Sequence, residues 1–387
     1  SQTVADGRRT VRYRSDAPIQ NFFSVQSARY EVAKDRWNDV ELAVYHDPAH
    51  AYNVERMITA MKASLDYFSS NFSPYQFRQA RILEFPAYED FAQSFANTIP
   101  YSEGIGFIAD HRDPEKIDMV TYVTAHEIAH QWWGHQVTSA DQQGGTFLVE
   151  SLAQYSALMV MEQMYGPEQI RKFLKYELDR YLRRRGGEVL EELPLVRVEN
   201  QPYIHYQKGA LALYLLKDQI GAAKVNEALR GLLAEFAFKP APYPNPRDLM
   251  HRFREVAGPE HEQLISDLFE KITLYDVKVT EAKSSRRADG RWDVALEVQA
   301  RKLYADGKGK ETEAPLDESF DVGVFTVEPG RKGYDKSSVI AVERTRLRSG
   351  RQTVRLVADQ EPAVAGVDPF NKRIDRNSED NLATVDK

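Results

Sequence analysis

Thr121–Gly134 reads TYVTAHEIAHQWWG and places His126, Glu127 and His130 in the order H-E-x-x-H. Two histidines four residues apart on a helix lie on one face, about a turn apart, so both imidazoles can reach one metal ion. A glutamate next to the first histidine is then placed to act on a water molecule at that metal. The stretch therefore predicts a helix with two metal ligands and a general base.

The composition excludes several classes of partner. The 51 Lys and Arg residues against 58 Asp and Glu residues give a net charge of −7, so no overall basic field favours nucleic acid or anionic lipid. The chain has no cysteine, so a metal has to be held by His, Asp or Glu. The longest apolar runs are far shorter than the roughly 18 residues of a membrane-spanning helix. We expect a soluble domain without membrane contact of its own.

The periodicity of apolar residues changes twice along the 387 residues, which predicts more than one domain. Alternating residues predict three or so strands between Thr10 and Asp47. Helical periodicity follows, with Asn53 as an expected N-cap and the motif helix running from about Pro114 to Gly134. Period-two stretches return at Tyr275. The predicted boundaries are 1–47 for the end of an N-terminal β domain, 48–273 for the metal-binding domain and 274–387 for a C-terminal β-sandwich with its tail.

HEIAHQWWGHQV, followed by Glu150 in LVESLAQY, resembles the aminopeptidase N and leukotriene hydrolase family of gluzincin metallopeptidases. That family has the pattern HExxH-x18-E. The resemblance implies an α+β fold built around a thermolysin-like zincin domain, mostly helical with a small sheet. It also implies one zinc ion on His126, His130 and Glu150, with Glu127 as general base and a peptide as substrate.

Two further segments match the family pattern. Tyr206 in YQKGA is similar to the tyrosine that polarises the scissile carbonyl and stabilises the oxyanion. Glu103 in PYSEGIGFI stands where the G-x-M-E-N motif has the glutamate that binds the free α-amine of the substrate. Together the motifs imply an aminopeptidase that removes N-terminal residues through a zinc-activated water.

The sequence departs from the family pattern at several places, one of which is His135 in place of the usual asparagine of W-x-G-N. Nineteen residues, rather than eighteen, separate His130 from Glu150, and we expect the extra residue to be absorbed at 143–145, where glycine makes an insertion cheap. Val149-Glu150-Ser151 replaces the usual N-E-G. Pro100-Tyr101-Ser102 stands where G-A-M is expected, which weakens the case for Glu103.

The motif sequences, together with the tail VDPFNKRIDRNSEDN, are similar to those of a subgroup whose peptidase domain is fused behind a bacterial ABC-2 type permease. That resemblance implies a membrane-anchored parent protein, with the cytoplasmic or periplasmic side undecided. Two alternatives stay open. One is an endopeptidase, and the other is an extramembrane module of a transporter that binds a metal or a peptide with little or no hydrolysis.

The remaining histidines lack ligand spacing. We expect them at the surface or in helix caps, with His135 undecided; they are His46, His50, His111, His205, His251 and His261. Gln154, one turn after Glu150, is a candidate for a group that orients a ligand.

Overall fold

The computed structural model describes residues 1–113 and 116–386. Strands lie at both ends of the chain and helices between them. The strands are β1 (Gln2–Ala5), β2 (Arg8–Val11), β3 (Glu31–Trp37), β4 (Val40–His46), β5 (Gln79–Phe85), β6 (Thr98–Ser102), β7 (Ile272–Arg286), β8 (Trp292–Ala305), β9 (Glu311–Ala314), β10 (Asp317–Phe325), β11 (Val339–Arg348), β12 (Gly350–Ala358), β13 (Val364–Val367) and β14 (Leu382–Thr384). The helices are α1 (Val54–Asn71), α2 (Met119–Ala129), α3 (Leu152–Tyr165), α4 (Ile170–Gly186), α5 (Gly209–Ile220), α6 (Ala222–Phe236), α7 (Pro246–Ala257) and α8 (Glu262–Ile265).

One four-stranded sheet has the order β3-β4-β5-β6, antiparallel between β3 and β4 and parallel elsewhere. Beyond β6, residues 92–95 form an edge segment through antiparallel bridges from Ala92 to Tyr101 and from Phe95 to Thr98. Of the strands predicted between Thr10 and Asp47, β3 and β4 are present, and residues 12–30 form no strand. That stretch bonds to loops instead of to a neighbouring strand, as in the contact of Gln20 Nε2 with the carbonyl oxygen of Gly134 at 2.6 Å.

The helices pack against this sheet around one large apolar core. α1 buries Met57, Met61, Leu65 and Phe68 at helical spacing, as their periodicity predicts. Asn53 stands at its N-cap, but its side chain makes no capping bond. Its Nδ2 donates instead to the carbonyl oxygens of Gly106 and Ala109, at 2.7 and 2.9 Å.

Two of the helices predicted from periodicity begin with a π-helix, the wider form in which residues i and i+5 are bonded. Phe147–Ser151 precedes α3, and Tyr203–Lys208 precedes α5. The hydrogen-bonded ring of a π-helix holds one residue more than that of an α-helix. The π-helix Phe147–Ser151 can therefore hold the extra residue that precedes Glu150, which periodicity alone does not suggest. The predicted start of the motif helix at Pro114 lies outside the described residues, and α2 ends at Ala129 rather than at Gly134.

The C-terminal part forms the predicted β-sandwich. One sheet has the order β11-β10-β13-β14, and the other has β12-β8-β7 with β9 paired to β8. Val277 and Leu296 of the second sheet share one apolar core with Phe320 and Val322 of the first. The polar tail is also part of the β-sandwich, since β14 pairs with β13. None of the helices among the described residues combines the length and the apolar character that crossing a membrane requires.

Candidate metal centre

α2 runs through the core, and its sequence is apolar on almost every face apart from the motif residues. The Asp118 carboxylate caps it by accepting from Thr121 N at 3.0 Å and from Thr121 Oγ1 at 2.7 Å. His126 and Glu127 are only 8% and 6% exposed. His130 stands at the C-cap, so the motif occupies the end of a buried helix.

His126, His130 and Glu150 come together as the spacing and the resemblance predict. The Nε2 atoms of the two histidines lie 3.0 Å apart, and Glu150 Oε2 is 3.3 Å from each. Ligands at zinc's usual bond lengths, placed tetrahedrally, are about 3.3 Å from one another. Three ligand atoms that converge at this spacing fit a divalent cation, and the donor set fits zinc.

The electrostatics of the triad favour positive charge. Burial alone raises the pKa of Glu150, but the charge of His130 and contacts with His126 outweigh it and hold this pKa well below its usual range. Burial lowers the pKa of His130, but the charge of Glu150 overrides that effect and raises it to about 9. The cluster therefore binds positive charge strongly, either protons or a metal ion.

Groups outside the triad orient its members. His130 Nδ1 lies 3.0 Å from the carbonyl oxygen of Trp133, which accepts its proton and leaves Nε2 free as a ligand. Further back, Tyr122 OH donates to Glu177 Oε1 at 2.6 Å, and Gln154 Nε2 donates to the same oxygen at 2.8 Å. Tyr122 lies one turn before His126, and Gln154 one turn after Glu150, so buried Glu177 joins the two helices that carry the ligands.

Glu127 points into the same buried region as the triad. Burial raises its pKa, and the two motif histidines oppose that rise. Ser94 Oγ of the edge segment donates to the backbone oxygen of Glu127 at 2.8 Å. The sheet edge therefore holds the backbone of this residue, and the carboxylate stays beside the ligands.

Tyr206 reaches the triad from the π-helix Tyr203–Lys208. Its ring centroid is 5.7 Å from that of His126. Burial, and next the charge of Glu150, raise the pKa of the phenol well above its usual value. Tyr206 is therefore a protonated hydroxyl, a hydrogen-bond donor beside the metal ligands.

Glu103 lies in a second cluster, at the end of β6. Its Oε1 accepts from Ala87 N at 2.9 Å, and its Oε2 is 3.6 Å from His50 Nδ1. His50 is bonded to Glu84, which is buried at the end of β5. The structure therefore brings the triad, Glu127 and Tyr206 together, and it places Glu103 with His50 and Glu84. Binding of the α-amine by Glu103 stays a prediction.

Sequence reasoning missed Ser94, Glu177 and Ser151, and it misplaced two histidines. His46 and His205 are buried, not at the surface. Their sequence neighbours carry no metal or catalytic spacing, so no local signal marks them. His135 holds the edge segment, with Nε2 at 3.1 Å from the carbonyl oxygen of Ser94.

The chain is similar in sequence to known proteins over part of their length. The chain is 26% identical over 211 residues to endoplasmic reticulum aminopeptidase 2 of Homo sapiens, covering 52% of the chain and 22% of that protein. It is 23% identical over 302 residues to tricorn protease-interacting factor F2 of Thermoplasma volcanium, covering 74% of the chain and 36% of that protein. The chain thus spans about a third or less of the length of these relatives.

A solved structure shows the same fold. Aminopeptidase A of Legionella pneumophila, in complex with aspartic acid, superposes with a TM-score of 0.56 over 89% of this chain and 38% of its own, at 16% identity. Residues 52–271, more than half of the chain and all of the metal centre, match the peptidase family M1 domain. The chain belongs to peptidase family M1.

Proposed function

We propose that this chain is the catalytic part of a zinc-dependent aminopeptidase that removes N-terminal residues from peptides. The observation that carries the proposal is the triad of His126, His130 and Glu150, with its atoms 3.0–3.3 Å apart and Glu127 and Tyr206 beside it. Family M1 peptidases are zinc enzymes, and the names of the relatives support the aminopeptidase reading.

His126, His130 and Glu150 would hold the metal. A zinc ion there would polarise the peptide carbonyl and lower the pKa of a coordinated water. Glu127 would take the proton from the attacking water and deliver it to the nitrogen of the leaving amine. Its raised pKa suits both steps, because a general base works best with a pKa closer to neutrality.

Tyr206 would donate a hydrogen bond to the carbonyl oxygen as negative charge develops there. The phenol stays protonated, which this role requires. Loss of such a donor costs about 3–4 kcal/mol of transition-state stabilisation in enzymes where it has been measured.

Glu103 would pair with the ammonium group of the substrate. Its Oε2 lies beyond hydrogen-bond distance from His50, so this oxygen keeps a lone pair for an ammonium donor. The position of Glu103 in the second cluster is the observation that favours the alternative, an endopeptidase. A module that only binds a metal or a peptide has no need of Glu127 or Tyr206, which argues against that reading.

Elemental analysis and peptide cleavage test the proposal together. We expect one zinc per chain, loss of hydrolysis with 1,10-phenanthroline and recovery with added zinc. Peptides with a free N-terminus should be cleaved faster than their N-acetylated forms. Hydrolysis that survives complete removal of zinc would contradict the mechanism, and equal cleavage of both forms would favour the endopeptidase.

The tether to an ABC-2 type permease, and with it the membrane anchor, is a separate proposal that rests on the similarity of the motif sequences alone. Fractionation of the full-length product from its native cell tests it. We expect antibodies against this domain to detect it in the membrane fraction, resistant to a high-salt wash.

A further inference from the structure

Two π-helices contact each other beside the metal centre, and each carries one of its groups. Phe147–Ser151 contains Glu150, and Tyr203–Lys208 contains Tyr206. π-helical turns are rare and are found mostly at functional sites. The distance between Glu150 and Tyr206 depends on how these two turns are held together.

Ser151 makes the connection. Its side chain is fully buried, and its Oγ donates to the carbonyl oxygen of His205 at 2.5 Å. The bond therefore joins the residue after the ligand Glu150 to the residue before Tyr206. It links two segments that are 54 residues apart in the chain.

The start of α5 packs closely against this bond. A Cβ atom built on Gly209 would lie 2.2 Å from Ser151 Oγ and 2.5 Å from Ser151 Cβ. Atoms this close overlap, so only glycine lets the start of α5 approach Ser151. In the family pattern N-E-G, the position of Ser151 is a glycine, which has no hydroxyl to donate.

We propose that Ser151 is a positioning residue that sets Tyr206 in register with Glu150 and the metal. This inference rests on the proposed peptidase function. Catalytic groups have to be placed closely, since a displacement of about 1 Å can cost on the order of a hundredfold in rate. A bonded, buried hydroxyl fixes the backbone next to Tyr206, whereas packing alone would allow the π-turn to shift.

The test is Ser151→Ala, with Ser64→Ala as the matched control. Ser64 is equally buried, and its Oγ donates at 2.7 Å to Ala60, within α1. We expect Ser151→Ala to lower kcat about tenfold with KM and zinc content unchanged, because a misplaced oxyanion donor loses part of its full effect. Ser64→Ala should leave kcat unchanged.

A double-mutant cycle separates positioning from simple stability. In a Tyr206→Phe background the donor is already gone, so Ser151→Ala should cause no further loss of kcat. An equal loss in both backgrounds would overturn the inference, as would a loss of zinc in Ser151→Ala. If Ser151→Ala fails to fold, Ser151→Gly, the residue of the family pattern, takes its place with the same expected results.

Binding of a phosphinic dipeptide, which mimics the tetrahedral transition state, tests the inference without turnover. Titration calorimetry on the zinc-loaded protein should show about tenfold weaker binding in Ser151→Ala and no further weakening in the Tyr206→Phe background. Unchanged affinity in Ser151→Ala would overturn the role of Ser151. If the unmodified protein cleaves no peptide, the proposed function fails, and this measurement still decides the role of Ser151.

Discussion

Two clusters in this protein have nearly the same composition and different chemistry. His126, His130 and Glu150 form one, and His50, Glu84 and Glu103 form the other. In each cluster the three potential ligand atoms lie within 4.8 Å of one another. Composition and proximity alone would make both of them metal sites.

Hydrogen-bond donors make the difference. In the second cluster, Asp47 N donates to Glu84 Oε2, Ala87 N donates to Glu103 Oε1, and His50 Nδ1 bonds to Glu84 Oε1. A proton on His50 is therefore already hydrogen-bonded to the buried carboxylate of Glu84. In the triad, by contrast, Glu150 Oε2 faces the Nε2 atoms of both histidines, and the Nδ1 proton of His130 faces a backbone carbonyl. A cation site requires lone pairs that converge and have no protons to share.

Replacement of one histidine in each cluster tests this comparison most strongly. We expect His126→Ala to lose the zinc and essentially all hydrolysis, since two remaining ligands do not hold zinc in a catalytic site. His50→Ala should keep one zinc per chain and most of its activity. Elemental analysis after gel filtration, with peptide cleavage, gives both results. A second zinc equivalent that disappears in His50→Ala would show that the second cluster is a metal site too.

Glu127→Gln separates binding of the metal from its use. The amide is nearly the same size but cannot accept the proton of the attacking water. We expect kcat to fall by roughly 10²–10⁴-fold, the usual contribution of a general base, with zinc content unchanged. Glu84→Gln, a buried carboxylate of the second cluster, is the control and should leave kcat within about threefold. Activity retained in Glu127→Gln would remove Glu127 from the mechanism.

Glu103→Gln tests whether the second cluster takes part in substrate binding. The side chain keeps its bond with Ala87 N but loses the charge that would attract an ammonium group. We expect kcat/KM to fall about tenfold for peptides with a free N-terminus, mainly through KM, and to stay the same for N-acetylated peptides. If kcat/KM changes equally for both kinds of peptide, Glu103 has no role in binding the α-amine.

Motif residues were predictable from sequence because their spacing carries the chemistry. The separation of four positions from His126 to His130 corresponds to about one helical turn, and a helix needs no other information to bring the two side chains together. The helical middle and the final β-sandwich were predictable for the same reason, since periods of 3.6 and 2 are local signals.

Other parts of the centre depend on contacts between distant segments. The bond from Ser151 to His205, and the meeting of Tyr122 with Glu177, join residues more than 50 positions apart. No periodicity records such contacts. The π-turns before α3 and α5 were missed because a single residue added to a helix leaves the apolar pattern almost unchanged. The strands predicted between Thr10 and Asp47 do not include residues 12–30 in the structure, because alternation indicates a half-buried surface and these residues have no strand partner.

The smallest expected effect concerns pH and the second cluster alone. The hydrogen bond to Glu84 raises the pKa of His50 above its usual value near 6.5. Protonated His50 therefore stabilises the folded state at low pH, and this stabilisation is lost as the pH rises through the raised pKa. We expect His50→Gln to remove a pH-dependent part of the free energy of unfolding, no more than about 1 kcal/mol because the side chain is partly exposed.

Urea denaturation of the zinc-loaded protein, at pH values from about 5 to 9, measures this effect. Unmodified protein should lose its advantage over His50→Gln as the pH rises, while the zinc content of both stays at one. His261→Gln is a fitting control, because the Nδ1 of His261 bonds to the carbonyl oxygen of Ala257 rather than to a buried carboxylate. An advantage that grows with pH would mean that neutral His50 is the favoured form. The proton would then not explain how the carboxylates of the second cluster stay together, and a metal ion at His50, Glu84 and Glu103 would become the better account of that cluster.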